Sequence, residues 1–152
     1  MPAVTDKEKA ISAQNKPAAL GPDIDLGAYS AHAEEHGEIH GLDVLSDEVK
    51  DRAVTVGIDA EEACRSGSFF QVDHSVIFSS AYRSGLEVMS TTDALEKYDW
   101  LGDYWWKAVE VDADKYTAQA EMKRNHGYFI RALPGATAEF PLQACLYMSR
   151  EG

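Results

Sequence analysis

The sequence predicts an α+β fold, with a helical first part that leads into antiparallel or mixed strands. Apolar residues recur at spacings of three and four after residue 46, as on one face of a helix. The period changes to two from Ser68 onward, and a second alternating run covers Ala138 to Met148. We therefore expect an arm, flexible or helical, at residues 1–20. A single domain would follow at 21–152, acidic and helical over 21–67 and strand-rich over 68–152.

The helical signals come first along the chain. Leu26–Ile39 is weakly helical, and Ser46 can cap a clearer helix that ends before Gly57, where a left-handed residue fits. Further helix starts are predicted at Asp59 with Glu62 and at Ser90 with Asp93. The buried stripe of the clearer helix would consist of Val49, Ala53 and Val56. Two later helices are predicted at Trp100–Val111 and from Asp114 to about Arg124.

The strand signals dominate the second half. Alternation over 68–78 predicts one strand, and shorter strands are expected at 86–89 and 128–132. Leu133 to Ala136 has Pro and Gly where a type II turn favours them. The apolar face of the first strand would carry Phe70, Val72, His74, Val76 and Phe78, and that of the last strand Ala138, Phe140, Leu142, Ala144, Leu146 and Met148.

Charge excludes two classes of partner. The 152 residues carry a net charge of −12, and residues 21–63 hold twelve acidic residues against Lys50 and Arg52. Nucleic acid and anionic membranes both require clustered cations, so neither is expected as a partner. No signal peptide or membrane-spanning run is recognisable, and the two cysteines have no zinc-ligand spacing. A cytoplasmic protein with reduced thiols is the resulting expectation.

Three histidines form the sharpest candidate motif. His32, His36 and His40 recur every four residues, and on a continuous helix they would share one face suited to a divalent metal. Gly37 and Gly41 interrupt that helix, so scattered histidines in a solvated acidic segment are the alternative. His74, by contrast, is expected to be buried and hydrogen-bonded in a strand.

The aromatic and thiol groups give weaker signals. The aromatic group comprises Tyr98, Trp100, Tyr104, Trp105 and Trp106. Its neighbours Asp99 and Asp103 argue against stacking on nucleic acid bases, so we expect packing, or an interface if the rings are exposed. Cys145 has the opposite parity from the apolar face of the last strand and should therefore be an accessible thiol if that face meets water, although no base accompanies it.

Four segments together resemble the SufB/SufD family of iron–sulfur cluster assembly proteins. They are SGSFFQVDHSV at 66–76, GLEVMSTTDALEKYDWL at 85–101, HGYFIRALPGA at 126–136 and FPLQACLY at 140–147. The order and spacing of the segments, rather than any one of them, carry the resemblance. It covers nearly all of this chain but only the N-terminal portion of the family, so we expect this chain to be the front part of a larger scaffold.

The resemblance implies a fold and a set of partners. The strand after Pro134 would be the entrance to a β-helix, and its edge would offer a homo- or hetero-oligomeric contact. The family implies a non-enzymatic scaffold on which an iron–sulfur cluster is assembled, with a SufC-like ATPase and a SufB/SufD-like subunit as partners. No cluster-binding residue of this chain is implied. The alternatives are a small metal-binding module using His32, His36 and His40, and a small enzyme using Cys145.

Overall fold

A computed structural model describes residues 5–30, 32–61, 63–123 and 127–149. Within those ranges the chain forms four α-helices and five β-strands, so the predicted α+β class is confirmed. The helices are α1 (Asp6–Ala13), α2 (Asp47–Thr55), α3 (Thr91–Lys97) and α4 (Lys115–Met122). The strands are β1 (Gly67–Val72), β2 (Ser75–Ala81), β3 (Leu86–Ser90), β4 (Tyr128–Ala132) and β5 (Leu142–Tyr147).

The chain forms two compact units. Unit 1 combines Met1–Ala31 with Tyr98–Asn125, and unit 2 combines His32–Lys97 with His126–Gly152. Helix α1 lies inside the predicted N-terminal arm, and the division into an arm and one domain stays a prediction. None of the helices in the described residues is both long and apolar enough to cross a membrane.

Unit 1 is built on the packing of α1 against α4. Its buried core consists of small side chains, Ala10, Ala13, Val111 and Ala118, with Trp106 packed beside them. Alanines let two helix backbones approach closely while costing no side-chain entropy, which compensates for the small apolar area of each residue. The core of this unit therefore depends on close helix contact rather than on large side chains.

Asp114 ties the start of α4 to the segment after α1. Its carboxylate accepts hydrogen bonds from the backbone N–H groups of Tyr116, Thr117 and Ala19 at 2.9–3.0 Å. The bond from Thr117 contributes most to lowering the pKa of Asp114, with Ala19 next. As the N-cap of α4, a carboxylate also suits the positive end of the helix dipole. The predicted helix start is therefore confirmed, and its cap fixes a loop far away in sequence.

Unit 2 contains two small sheets. In the first, the strand order is β2-β1-β5, with β1 antiparallel to β2 and parallel to β5. In the second, β3 pairs antiparallel with β4. The main core covers one face of the first sheet and includes Leu42, Ala60, Phe70, Val72, Ile77 and Cys145. The side chains packed against this core include Ile39 and Leu45 before α2, Val49 on α2 and Ile58 after it.

Two predicted helices are wrong. Leu26–Ile39 forms only a short 3₁₀ turn at Leu26–Ala28, and the other described residues of that range are irregular. Trp100–Val111 forms a 3₁₀ turn at Asp99–Asp103 followed by turns. Periodicity alone favoured helices in these segments, but both contain glycine, which weakens a helix. Val56 lies beyond the end of α2 and is 74% exposed, so it does not belong to a buried stripe.

Other helix and turn predictions are confirmed. Ser46 caps α2 through the N–H of Val49, and Ser90 accepts a hydrogen bond from the N–H of Asp93 at the start of α3. The Leu133–Ala136 turn forms, with Gly135 at φ +82. Helix α4 ends at Met122, close to the predicted end at about Arg124, whereas Arg124 itself and Glu62 of the predicted capping pair lie outside the described residues.

The single strand predicted from Ser68 to Phe78 is instead a tight hairpin. The chain reverses at Asp73 and His74 between β1 and β2, and Asp73 adopts φ +52. Asp tolerates this left-handed conformation better than most residues because its short side chain bonds locally. His74 therefore lies in a turn and not at the centre of a strand face.

Gly67 lies where β1 is closely packed against its neighbours in both sheets. A Cβ placed there would lie 2.9 Å from the carbonyl oxygen of Ser80 and 3.0 Å from a methyl group of Val88. We expect Gly67→Ala to lower the free energy of unfolding by about 1–3 kcal/mol, since overpacking forces strands apart. Thermal unfolding checks this. Gly37→Ala, in the same unit and with open space around it, should leave the melting temperature nearly unchanged. Equal effects of both substitutions would contradict the steric argument.

Candidate functional site

The turn between β1 and β2 carries a polar cluster of unit 2 that is centred on Asp73. The Asp73 carboxylate accepts hydrogen bonds from the N–H and the hydroxyl of Ser149, at 2.9 and 2.6 Å. The oxygen that accepts the Ser149 hydroxyl, Asp73 Oδ2, also lies 3.2 Å from His36 Nε2. One carboxylate thus joins the irregular segment at 32–40, the hairpin and the residues after β5.

Hydrogen bonding keeps this carboxylate ionised. The Ser149 hydroxyl is the largest cause of the lowered pKa of Asp73, and burial opposes it. The side chain of Asp73 is only 11% exposed, so the charge is largely shielded from water while its oxygens remain bonded. A buried carboxylate without such donors would tend to protonate instead.

The neighbouring residues His74 and Ser75 also bond to the irregular segment at 32–40. His74 Nε2 accepts a hydrogen bond from the backbone N–H of Ala33 at 3.0 Å, and the Ser75 hydroxyl accepts one from His36 N–H at 2.9 Å. The Asp73 carbonyl in turn accepts a bond from Gln71 Nε2. The prediction that His74 is hydrogen-bonded holds, although it is half-buried in a turn.

The hydrogen bonds around Asp73 connect chain segments and differ from those of a catalytic triad. In a nucleophilic triad the imidazole bonds to the hydroxyl and so takes its proton. Here the Ser149 hydroxyl donates to the Asp73 carboxylate, and the His36 ring lies within hydrogen-bond distance of that same carboxylate. The described atoms around Asp73 therefore hold three chain segments together and do not present an activated nucleophile.

The three candidate histidines do not share a helix face. His32, His36 and His40 lie in an irregular segment, and only His36 approaches Asp73. Among the described residues there is no group of three His, Cys, Asp or Glu side chains placed to hold a metal ion. The helix on which the metal prediction rested is thus wrong. The metal site itself stays a prediction, which zinc titration of the chain and of the triple alanine variant would test.

Cys145 corrects a second expectation. The opposite parity of β5 faces the core, so Cys145 and Gln143 are buried at 9% and 7% exposure, while Leu146 is 58% exposed. Burial raises the pKa of the Cys145 thiol, which suppresses the reactive thiolate. The accessible thiol is Cys64.

The hydrogen bonds of Gln143 account for the burial of this face of β5, and apolar periodicity in the sequence could not predict those bonds. Its Oε1 accepts hydrogen bonds from the N–H of Asp59 and from Arg65 Nε, both at 2.9 Å. Its Nε2 donates to the Asp59 carbonyl and to the Ser68 hydroxyl, both at 2.8 Å. Because the amide is bonded at both ends, burying it costs little. Its role is structural: it joins β5 to β1 and to the loop after α2.

We expect the two thiols to differ strongly in reactivity. With an aromatic disulfide reagent at neutral pH, Cys64 should react rapidly and Cys145 only after denaturation, because the thiol of Cys145 is buried and its pKa is raised. Mass spectrometry of the labelled peptides measures both. Cys64→Ser should remove the fast phase and leave the slow one. Fast labelling of Cys145 in the folded chain would contradict its placement in the core.

The aromatic group divides into two parts in unit 1. Trp105 and Trp106 are half-buried, and both indole N–H groups point to Oε2 of Glu121, at 3.4 and 2.7 Å. Trp100 and Tyr104 are 43% and 70% exposed, and their rings form an edge-to-face pair with centroids 5.9 Å apart. The first pair packs as expected, and the second has the exposure that an interface would need.

The comparisons with known proteins decide the family. No protein-family profile matches the chain. Over 149 residues, however, the chain is 44% identical to an iron-sulfur cluster assembly SufBD family protein of Methanothermobacter thermautotrophicus strain Delta H, covering 95% of this chain and 36% of the relative. The resemblance to the SufBD family is confirmed. A SufBD family protein of Archaeoglobus fulgidus is 43% identical over 116 residues, covering 76% of this chain and 30% of the relative.

The SufBD match is partial on the side of the relatives. A homologue from strain Winter of the same Methanothermobacter species is 42% identical over 149 residues, again 36% of its length. The chain thus spans about a third of the length of the SufBD relatives it matches. The 149 aligned residues cover most of both units, so the likeness extends well beyond a single motif.

Proposed function

We propose that this chain is the N-terminal region of a SufBD-like scaffold for the assembly and transfer of iron–sulfur clusters, acting through protein–protein contacts. The observation that carries the proposal is the 44% identity over 95% of the chain to a protein named for iron-sulfur cluster assembly. The cluster is the cargo of the assembled scaffold, and no residue of this chain is assigned to it. The partners are a SufC-like ATPase and a SufB/SufD-like subunit.

Two features of unit 2 support a role in protein contacts. Strand β5 lies at one edge of its sheet, and an edge strand presents backbone groups that can pair with another chain. Beside that edge, Leu146 and Met148 are 58% and 81% exposed. Apolar side chains next to an open edge are typical of a surface that a further strand covers.

The chemistry of the described residues also supports a scaffold rather than an enzyme. The Ser149 hydroxyl bonds to a carboxylate and not to an imidazole, and Cys145 is a buried thiol with a raised pKa. In the proposed complex, ATP hydrolysis belongs to the SufC-like partner, and this chain contributes binding surface. We place the proposed complex in the cytoplasm.

Co-purification tests the proposal. The tagged full chain is expressed with the SufC-like ATPase and the SufB/SufD-like subunit of the same organism, and complexes are separated by size exclusion. We expect the SufB/SufD-like subunit to co-elute with the chain. Leu146→Glu with Met148→Glu should abolish co-elution, since buried carboxylates at the contact are costly. Val54→Glu, at a residue 64% exposed on α2, is the matched control and should bind normally. If neither subunit co-elutes with the chain, the proposal is overturned.

A further inference from the structure

A cleft runs along the outer edge of β2, on the opposite side of the sheet from β5. Its volume is about 470 Å³. The cleft is lined by the segment 38–40, by β2 from Val76 to Ser80, and by Ser90 and Asp93 at the start of α3. All of these residues belong to unit 2.

The edge of β2 is already bonded at one end of the cleft. The backbone N–H of Ile39 donates to the carbonyl of Ile77 at 2.8 Å, as a neighbouring strand would. Further along, Tyr82 N–H donates inward to Ser66, and Phe69 pairs with Ser79. Since backbone groups alternate sides along an antiparallel strand, those of Ser79 point outward, into the cleft. Among the described residues, no backbone group bonds to the outer edge beyond Ile77.

The lining of the cleft is acidic and partly apolar. Glu38 and Asp93 are exposed carboxylates in that lining, and the half-buried Val76 and Phe78 are among its apolar members. The Asp93 carboxylate accepts a hydrogen bond from the Ser90 hydroxyl, and its oxygens can accept further hydrogen bonds. A strand added along β2 would project its side chains alternately to the two faces of the sheet, so that every second side chain lies on the same face.

We propose that this cleft binds an extended, basic segment of a partner protein by adding it as a strand to the outer edge of β2. Backbone hydrogen bonds at Ser79 would give the affinity, and lysine or arginine side chains facing Glu38 and Asp93 would give the preference, as in other cases of strand addition. The inference concerns a different edge from the β5 surface of the proposed scaffold contact, so the two proposals can fail independently.

The first test uses a fluorescein-labelled peptide of about six residues, the usual length of a strand, that alternates valine and lysine. We expect saturable binding by fluorescence anisotropy to the full chain. A peptide with glutamate in place of lysine should not bind. A third peptide keeps the lysines but is N-methylated on alternate backbone nitrogens, and it should bind at least ten-fold more weakly because it cannot complete the ladder. Failure of the lysine peptide to bind, or equal binding of the methylated peptide, overturns strand addition.

The second test changes the chain. Glu38→Gln with Asp93→Asn removes both charges but keeps the oxygen that accepts from Ser90. It should weaken binding of the lysine peptide roughly 2- to 30-fold, the range of two exposed ion pairs. Glu48→Gln with Asp51→Asn, on α2 and away from the cleft, is the matched control and should leave binding unchanged. An unchanged affinity in the first variant overturns the assigned charge preference. A dimer of the chain alone that the same variant dissociates shows a second copy in the cleft and overturns the proposed partner.

Discussion

Replacing Phe70 with alanine is expected to destabilise the fold by about 3–5 kcal/mol, the usual cost of truncating a buried aromatic side chain. Phe70 is fully buried, and it belongs to the cluster that contains Leu42, Val72 and Cys145. Its strand is bonded on both sides, to β2 and to β5. The surrounding strands cannot collapse into the space, so most of the cavity should remain.

The position of the tryptophans allows the loss of stability caused by Phe70→Ala to be assigned to one of the two units. Trp100, Trp105 and Trp106 are the three tryptophans of the chain, and all lie in unit 1. Urea unfolding monitored by far-UV circular dichroism should therefore report the lower stability of the strands of unit 2. Tryptophan emission, recorded in parallel, reports the unfolding of unit 1. Val54→Ala, at an exposed helical position, should shift the midpoint little. A Phe70→Ala midpoint equal to that of the control would contradict the core described for unit 2.

Replacing Asp73 with alanine should cost about 2–4 kcal/mol and also alter the pH dependence of stability. Alanine loses the bonds from Ser149 and His36, and bonds to a charged acceptor are worth more than neutral ones. Alanine is also strained at φ +52. Asp73→Asn keeps an acceptor and tolerates that conformation, so it isolates the contribution of the charge.

The direction of the pH effect follows from the lowered pKa of Asp73. Folding favours the ionised form, so the stabilisation is fully present above the unfolded-chain pKa of about 3.9. It is lost as the pH falls from there through the lower folded-state pKa. We expect the stability difference between wild type and Asp73→Asn to be constant near neutral pH and to shrink below about pH 4. Urea midpoints measured across pH 3 to 7 test this, and a difference that grows on acidification would contradict the assignment.

Local rules predicted the elements whose signals are short and chemically specific. A serine cap at Ser46, another at Ser90 and the Pro134–Gly135 turn all form as predicted, because a cap or turn is decided by a few neighbouring residues. Strand β4 has the predicted bounds, 128–132. The wrong helices at 26–39 and 100–111 rested on spacing alone, without strong caps at both ends.

The candidate site was less predictable because its parts are distant along the chain. Asp73 bonds to His36, 37 positions before it, and to Ser149, 76 positions after it. Sequence reasoning considered Asp73 only beside His74 on a strand and so missed its role. A signal was available, since an Asp–His pair in the middle of a strand pattern is also compatible with a turn.

The sequence by itself determined the α+β class, the caps and turns, the acidic charge and the family resemblance, because each depends on local chemistry or on the order of residues. The tertiary structure decided which face of β5 is buried. Alternation pointed Leu146 inward and Cys145 outward, yet Gln143 finds partners in Asp59, Arg65 and Ser68 and is buried with Cys145. Polarity in a sequence marks a residue as exposed only when no partner satisfies its hydrogen bonds, and those partners come from distant parts of the chain.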